Sequence, residues 1–230
     1  MSLANPDRLP APRGGPGRPK PRVDRHARGR EVVEAAVAVF TEKGLQTATM
    51  QDVADKAGMA KILIYRLYPS RQALIDALFG EALAQVEAAA LRPWGGYGSG
   101  IATLIELGRA RPALFRLLLK DARSGPETAR WAATCDALLT GLAQPFVAPP
   151  PNATEPVRAA CAHAARTLLP FIIETWIAGI DRSDGLTDAA RIKWFGDIVR
   201  AWRSASREAI GLPEAPEPAS LAASPPPRAS

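Results

Sequence analysis

The sequence has little of what carries chemistry: two His and two Cys in 230 residues, with three Met and three Tyr. Cys135 and Cys161 fit no metal-ligand spacing and no disulfide framework, and they read as small buried hydrophobes in a reducing compartment. His26 falls in a basic leader, so His163 is the imidazole left to the folded body, and it reads as an interior residue rather than a ligand. With Cys161 near it and Glu174 eleven residues on, it hints at a nucleophile site. No Asp or Asn stands at a spacing that would complete a triad. No catalytic residue, metal site or cofactor is therefore expected, and the chain is not read as an enzyme. Long apolar runs are also missing. Nothing approaches the roughly 18 residues that span a bilayer, and the first residues offer Pro, Gly and Arg where a secretory leader would have an apolar core. No membrane partner is expected, and the expected location is cytoplasmic. Strand-like alternation of useful length is absent as well, which leaves an all-α fold.

What is there is ordinary in bulk and uneven in place. Hydrophobic residues make up 47% and charged residues 23%, the usage of a globular chain, and the length suits one sizeable core with a small satellite unit. The net charge is +6, and its position says more than its size. Residues 1–30 hold eight Lys/Arg (Arg8, Arg13, Arg18, Lys20, Arg22, Arg25, Arg28, Arg30) against Asp7 and Asp24, while the remaining residues hold 21 of each sign. A basic, Pro- and Gly-rich arm of this kind suits phosphate contact through counterion release, or else is a solvated tail. The arm and the Pro/Ala/Ser-rich end, from Pro213, have too few large apolar side chains to offset the entropy of ordering, and both are expected to be disordered.

Between these ends the apolar period is helical. A first helix is expected over Arg28 to Lys43, with Val33, Val37 and Phe40 on one face and Gly44 as its stop. Thr49 can cap a second, carrying Met50, Val53, Ala54 and Ala57 and broken by Gly58. A third runs from Lys61 to Tyr68, and Pro69-Ser70 ends it and caps a long helix from Arg71 towards Leu91. Three short helices with a glycine turn between the last two make a helix-turn-helix. Further helical segments are expected at Ile101 to Leu107, Pro112 to Lys120, Glu127 to Leu142, Pro156 to Ile180 and Thr187 to Ile210. Pro170 is expected to kink the fourth of these.

If Ile64 and Tyr68 face the core with Val53, then Lys61, Ile62, Tyr65 and Arg66 lie on other faces of the third helix. An α-helix fits the major groove of B-DNA, where Arg or Lys pairs with guanine and apolar side chains touch the thymine methyl. Lys61 and Arg66 are candidate base or phosphate contacts; Ile62 and Leu63 are candidate methyl contacts. The stretch Gly15-Pro16-Gly17-Arg18-Pro19-Lys20-Pro21-Arg22 has the Gly-Arg-Pro core of a minor-groove hook, with Arg18, Lys20 and Arg22 as its cations, and is otherwise a leader that raises non-specific affinity.

From Val32 to Leu78 the chain resembles the DNA-binding domain of the TetR family of bacterial repressors. The resemblance is carried by Ala36-x-x-x-Phe40-x-x-x-Gly44, by Thr49-Met50-x-x-Val53-Ala54-x-x-Ala57-Gly58, and by Ile64-Tyr65-x-x-Tyr68-Pro69-Ser70-Arg71-x-x-Leu74. It implies that Tyr65, Arg71 and Thr49 grip phosphate. The chain departs from the family at Ala60, where a capping residue is frequent, at Ile62-Leu63 in place of Gly-Thr, and at Leu67 in place of an aromatic residue or His. These departures fit thymine-rich specificity, weaker DNA affinity, or Leu63 and Leu67 packed as core.

The resemblance further implies an organisation of 1–27 as the basic arm, 28–75 as the helix-turn-helix domain, 76–212 as a ligand-binding and dimerisation domain, and 213–230 as the tail. Its last two long helices would pair with their copies in a homodimer. Ile172, Ile173, Trp176, Ile177 and Ile180, with Ile192, Phe195, Ile198, Val199 and Trp202, offer the apolar surface for it. Phe115, Leu118, Leu119, Trp131, Cys135, Leu138, His163 and Phe171 are candidates for an effector pocket, though each serves equally as core. Such a lining suits a small apolar or aromatic effector, with Arg116 and Arg166 leaving an anionic one open. The reading is a ligand-responsive repressor on a palindromic DNA operator. The alternative is a ligand-binding or scaffold protein whose DNA-binding domain is weakened.

Overall fold

The computed structural model describes residues 25–213. Among them the fold is all-α, with no strand element. Helix α1 (Arg25–Lys43) buries Val32, Val33, Ala36, Val37 and Phe40. It stops at Gly44, whose φ of 88° is the left-handed region that favours glycine. It begins at Arg25, three residues before the expected start.

Helix α2 (Met50–Ala57) opens with a reciprocal capping box. The Thr49 hydroxyl accepts from the Asp52 N–H at 3.2 Å, and the Asp52 carboxylate accepts from the Thr49 N–H at 2.8 Å. Gly58, at φ 62°, closes it and turns the chain into α3 (Lys61–Leu67). Ala60 starts α3 with no side-chain cap, as its side chain requires. Tyr68 lies just past the end of α3 rather than inside it, with its hydroxyl donating to the Gly29 carbonyl at 3.3 Å.

Helix α4 (Arg71–Ala90) is capped by Ser70, which accepts from the Ala73 N–H at 3.0 Å. It buries Leu74, Ile75, Leu78, Phe79, Ala82, Leu83 and Val86, because it packs on α1 at one end and on the body at the other. The body comprises α5 (Ser99–Ala110), α6 (Pro112–Leu119), α7 (Pro126–Ala143), α8 (Glu155–Thr167), α9 (Leu169–Asp181) and α10 (Asp188–Ile210). Short 3₁₀ turns follow α6 and α7.

One kinked helix was expected over Pro156 to Ile180; the chain forms two, α8 and α9, broken at Leu168. Pro170 is a first-turn residue of α9, where its missing N–H costs nothing, rather than a kink within a continuous helix. Helices α5 and α9 approach closely over a glycine on each side. A Cβ on Gly108 would lie 2.5 Å from Ile180 Cδ1 and 2.6 Å from Trp176 Nε1, and one on Gly179 would lie 2.5 Å from Ile105 Cγ1.

Two sets of ion pairs tie the N-terminal helices to the body. Arg111, at the junction of α5 and α6, reaches Glu34 on α1 at 2.6 Å and Glu81 on α4 at 2.7 Å. At the start of α7, Glu127 meets Arg71, and Asp76 on α4 holds Arg130 together with the Trp131 indole N–H at 3.1 Å. At the far end Arg191, fully buried, locks the turn between α9 and α10. Its Nε donates to Asp184 at 2.6 Å and its other nitrogens to Asp188 at 2.7 Å and the Leu186 carbonyl at 2.9 Å.

Candidate nucleic-acid interface

Helix α3 is only seven residues long and gains its stability from what it rests on. Ile64 is its one fully buried side chain, while Leu63 and Leu67 are half-buried, Leu67 against the core. That resolves Leu67 towards packing. The outward face carries Lys61, Ile62 (65% exposed), Tyr65 (40% exposed) and Arg66. The Lys61 ammonium stands 5.9 Å from the Tyr65 ring centroid, a geometry that holds both side chains over the same patch. The face pairs two cations with an exposed aliphatic and an aromatic hydroxyl, the side chains that meet phosphate, guanine and thymine methyl.

Arg25, assigned to the arm from the sequence, belongs to this surface. It opens α1, and its guanidinium donates to the Arg66 carbonyl at 3.4 Å. Asp24, a residue type that caps helices, precedes it in the sequence and was the available signal. Arg18, Lys20 and Arg22 lie outside the described residues.

Two expected phosphate contacts sit differently from the expectation. Arg71 is turned inward: Nε donates to the Ala48 carbonyl at 3.1 Å, the other nitrogens engage the Leu45 carbonyl and Glu127, and the guanidinium lies 5.8 Å from the Phe40 ring centroid. Its donors brace the turn between α1 and α2 against α4 and α7. Thr49 likewise spends its hydroxyl on Asp52, at 2.7 Å, and its N–H in the capping box. Asp52 stays ionised down to a pKa of about 2, held by the Lys43 ammonium at 2.5 Å and then by Thr49. A phosphate at Thr49 would face that carboxylate.

The expected effector residues are placed mostly in packing. Phe115, Leu118, Leu119 and Cys135 are buried core, and burial pushes the Cys135 thiol up to about 12, which keeps it protonated and inert. Trp131 is bonded to Asp76, Leu138 is half-buried, Phe171 stacks on Phe195 with centroids 5.0 Å apart, and His163 is exposed rather than interior. None of the eight lines either of two cavities in the body. One of these, an apolar interior cavity of about 40 Å³, is walled by Trp94, Tyr97, Ile101, Leu104, Phe146 and Ile172, among others. The other is a groove beside α8.

The expected dimer residues divide as well. Trp176, Ile177, Ile180, Phe195 and Val199 are buried within the single chain, because α9 and α10 pack on α5. Each keeps less than a tenth of its surface exposed. Ile198 is 40% exposed, and Ile173 and Trp202 are half-buried. Trp194, 47% exposed, was not among the expected residues and stands one turn from Ile198.

A capped helix, a glycine turn and a second helix with its outer face bare make this a helix-turn-helix protein with an all-helical body. Residues 32–78 match the family model described as bacterial regulatory proteins, tetR family. A 53-residue stretch is 36% identical to the HTH-type transcriptional repressor KstR2 of Mycobacterium tuberculosis, covering 23% of this chain and 26% of that protein. The match thus spans about a quarter of the relative's length. The fold is shared with a TetR-like transcriptional regulator from Rhodococcus sp. RHA1 (TM-score 0.60, 16% identity, 83% of this chain and 100% of that one). It is shared also with a tetR-family regulator from Streptomyces coelicolor (TM-score 0.60, 16% identity, 81% and 86%). Residues 32–78 are thus similar to the TetR family of bacterial regulatory proteins, and the fold as a whole is one that solved TetR-like regulators share.

Proposed function

We propose that the chain is a sequence-specific DNA-binding transcriptional regulator acting in the cytoplasm, a repressor that binds a palindromic operator as a homodimer and is released by a small, mainly apolar effector. The outward face of α3 carries this reading: Lys61, Ile62, Tyr65 and Arg66 are exposed on a helix anchored through Ile64. The 53-residue match to KstR2, a protein named as a repressor, supports the sign.

The dimer reading is supported by α10, where Trp194, Ile198, Ala201 and Ala205 form an exposed apolar stripe at spacings of four and three, the period of a helix-helix seam. Two copies of α3 would then meet DNA about one turn apart, roughly 34 to 36 Å. The effector reading is supported by the interior cavity, whose walls are aliphatic and aromatic. A ligand larger than a water needs those walls to part, so its binding would favour one arrangement of the body over another.

A hydroxyl-radical footprint of the chain on DNA upstream of its own coding sequence tests the proposal. The expected result is two protected patches of inverted sequence, centred about one turn apart or more. Protection with no sequence preference would contradict it and leave a weakened DNA-binding domain.

A further inference from the structure

Two cavities in the body differ in size by enough to separate their uses. The interior one, at about 40 Å³, holds little more than a single water, whose share of the liquid is about 30 Å³. The groove is about 380 Å³, within the roughly 300–1,000 Å³ of small-molecule sites. Its walls are Pro145 and Val147 from the 3₁₀ turn after α7, Ala148 and Pro149 beyond it, and Arg158 and Cys161 from α8.

The charges around this groove are unbalanced. Arg207 on α10 is 9% exposed. It donates to the Phe146 carbonyl at 3.2 Å and to the Pro213 carbonyl, its Nε has no hydrogen-bond partner, and no carboxylate among the described residues pairs with it. Phe146 belongs to the same 3₁₀ turn that supplies the groove wall. Helix α10, which carries Arg207, packs on α8, which carries Cys161, and on this 3₁₀ turn, and the Arg207 charge opposes the burial that raises the pKa of the Cys161 thiol. Arg158 adds a second cation, donating to Glu155 at 3.0 Å and to the Ala153 carbonyl. A buried guanidinium with only carbonyl acceptors is costly and is ordinarily matched by an anion.

We propose that this groove binds a carboxylate carried on an apolar body. Arg158 meets the carboxylate, Arg207 supplies its field from behind Cys161, and Pro145, Val147 and Ala148 pack on the body. The carboxylate has two sources, a free organic acid or the chain's own Glu214 and Glu217, which follow the Pro213 carbonyl that Arg207 holds.

Calorimetric titration of the full chain with octanoate and with octan-1-ol, the same body with and without the charge, tests the site. The full chain carrying both Glu214→Gln and Glu217→Gln is titrated beside it. Octanoate is expected to bind at least tenfold tighter than octanol, and Arg158→Ala and Arg207→Met are each expected to weaken it about tenfold. Equal affinity for the two chains assigns the groove to a free acid. Tighter binding only in the double Gln chain assigns it to the chain's own carboxylates. Octanoate no tighter than octanol in either chain, or binding unmoved by Arg158→Ala, a surface change that leaves the fold intact, would overturn the proposal.

Discussion

Arg71 opens α4, and in the sequence it looks like a phosphate contact; the fold gives it other acceptors. Those acceptors, the Ala48 and Leu45 carbonyls and Glu127, lie 23, 26 and 56 residues from it along the chain. No local pattern announces them. Arg71→Ala would strand two carbonyls and remove the brace between α1, α4 and α7. It is expected to lower unfolding stability by about 2 kcal/mol, read as a fall in the urea midpoint. An unchanged midpoint would mean that these contacts are not formed. A second residue-scale prediction concerns acid. Asp184 is held at about 2 by its hydrogen bonds to Arg191, and Asp188 at about 2 by Arg109 and then Arg191, against 3.8 for a free carboxyl. Both pKa values are lowered in the folded state, so the stabilisation is complete above pH 4 and is lost as pH falls through 4 towards 2. Since Asp184 and Asp188 are partly solvent-exposed, screening trims the effect. The urea midpoint should drop over that window, and drop less in Asp184→Asn. Equal acid profiles for the two proteins would argue against the network.

At the scale of the element, starts and stops were legible wherever one residue sets them. Thr49, Gly58, Ser70, Pro112 and Thr187 each fix a helix boundary through their own side chain or backbone. The α8–α9 break was not, because Pro170 fits a kink or a first turn equally well until the packing of α9 on α5 decides between them. Packing also separates glycines that look alike in sequence. Gly80 lies in α4 with its nearest outside atom, Trp131 Cη2, at 3.7 Å from an added Cβ, whereas Gly108 has the rigid Trp176 indole at 2.6 Å. Gly80→Ala should therefore stabilise by up to about 1 kcal/mol, and Gly108→Ala should destabilise by about 1–3 kcal/mol by forcing α5 from α9. Thermal melts of the two variants should move in opposite directions; a shared direction would refute the close crossing.

For the whole molecule, the outward face of α3 could be found from sequence because its anchor Ile64 and its exposed neighbours fall within one short segment. The dimer and effector residues could not, since apolar side chains on α9 and α10 look the same whether they face α5 or a second copy. The structure consigns Trp176 and Phe195 to the chain's own core and leaves Trp194 and Ile198 outside. Ile198→Asp is expected to yield a monomer in light scattering, with an unchanged melting temperature of the monomer fold and weaker operator binding. A variant with the dimer's mass would move the interface elsewhere. Loss of the dimer should matter for DNA, because two coupled half-site contacts bind far more tightly than one.

Operator affinity as a function of salt tests the central claim most directly. Fluorescence anisotropy would compare a duplex from the footprinted region with a scrambled duplex, for the natural chain and for Tyr65→Ala and Arg66→Ala. The account predicts binding to the natural duplex roughly 10³-fold or more tighter than to the scrambled one. It also predicts that each substitution weakens specific binding, with a shallower salt slope where a phosphate contact is lost. Equal affinity for the two duplexes, undisturbed by either substitution, would contradict it.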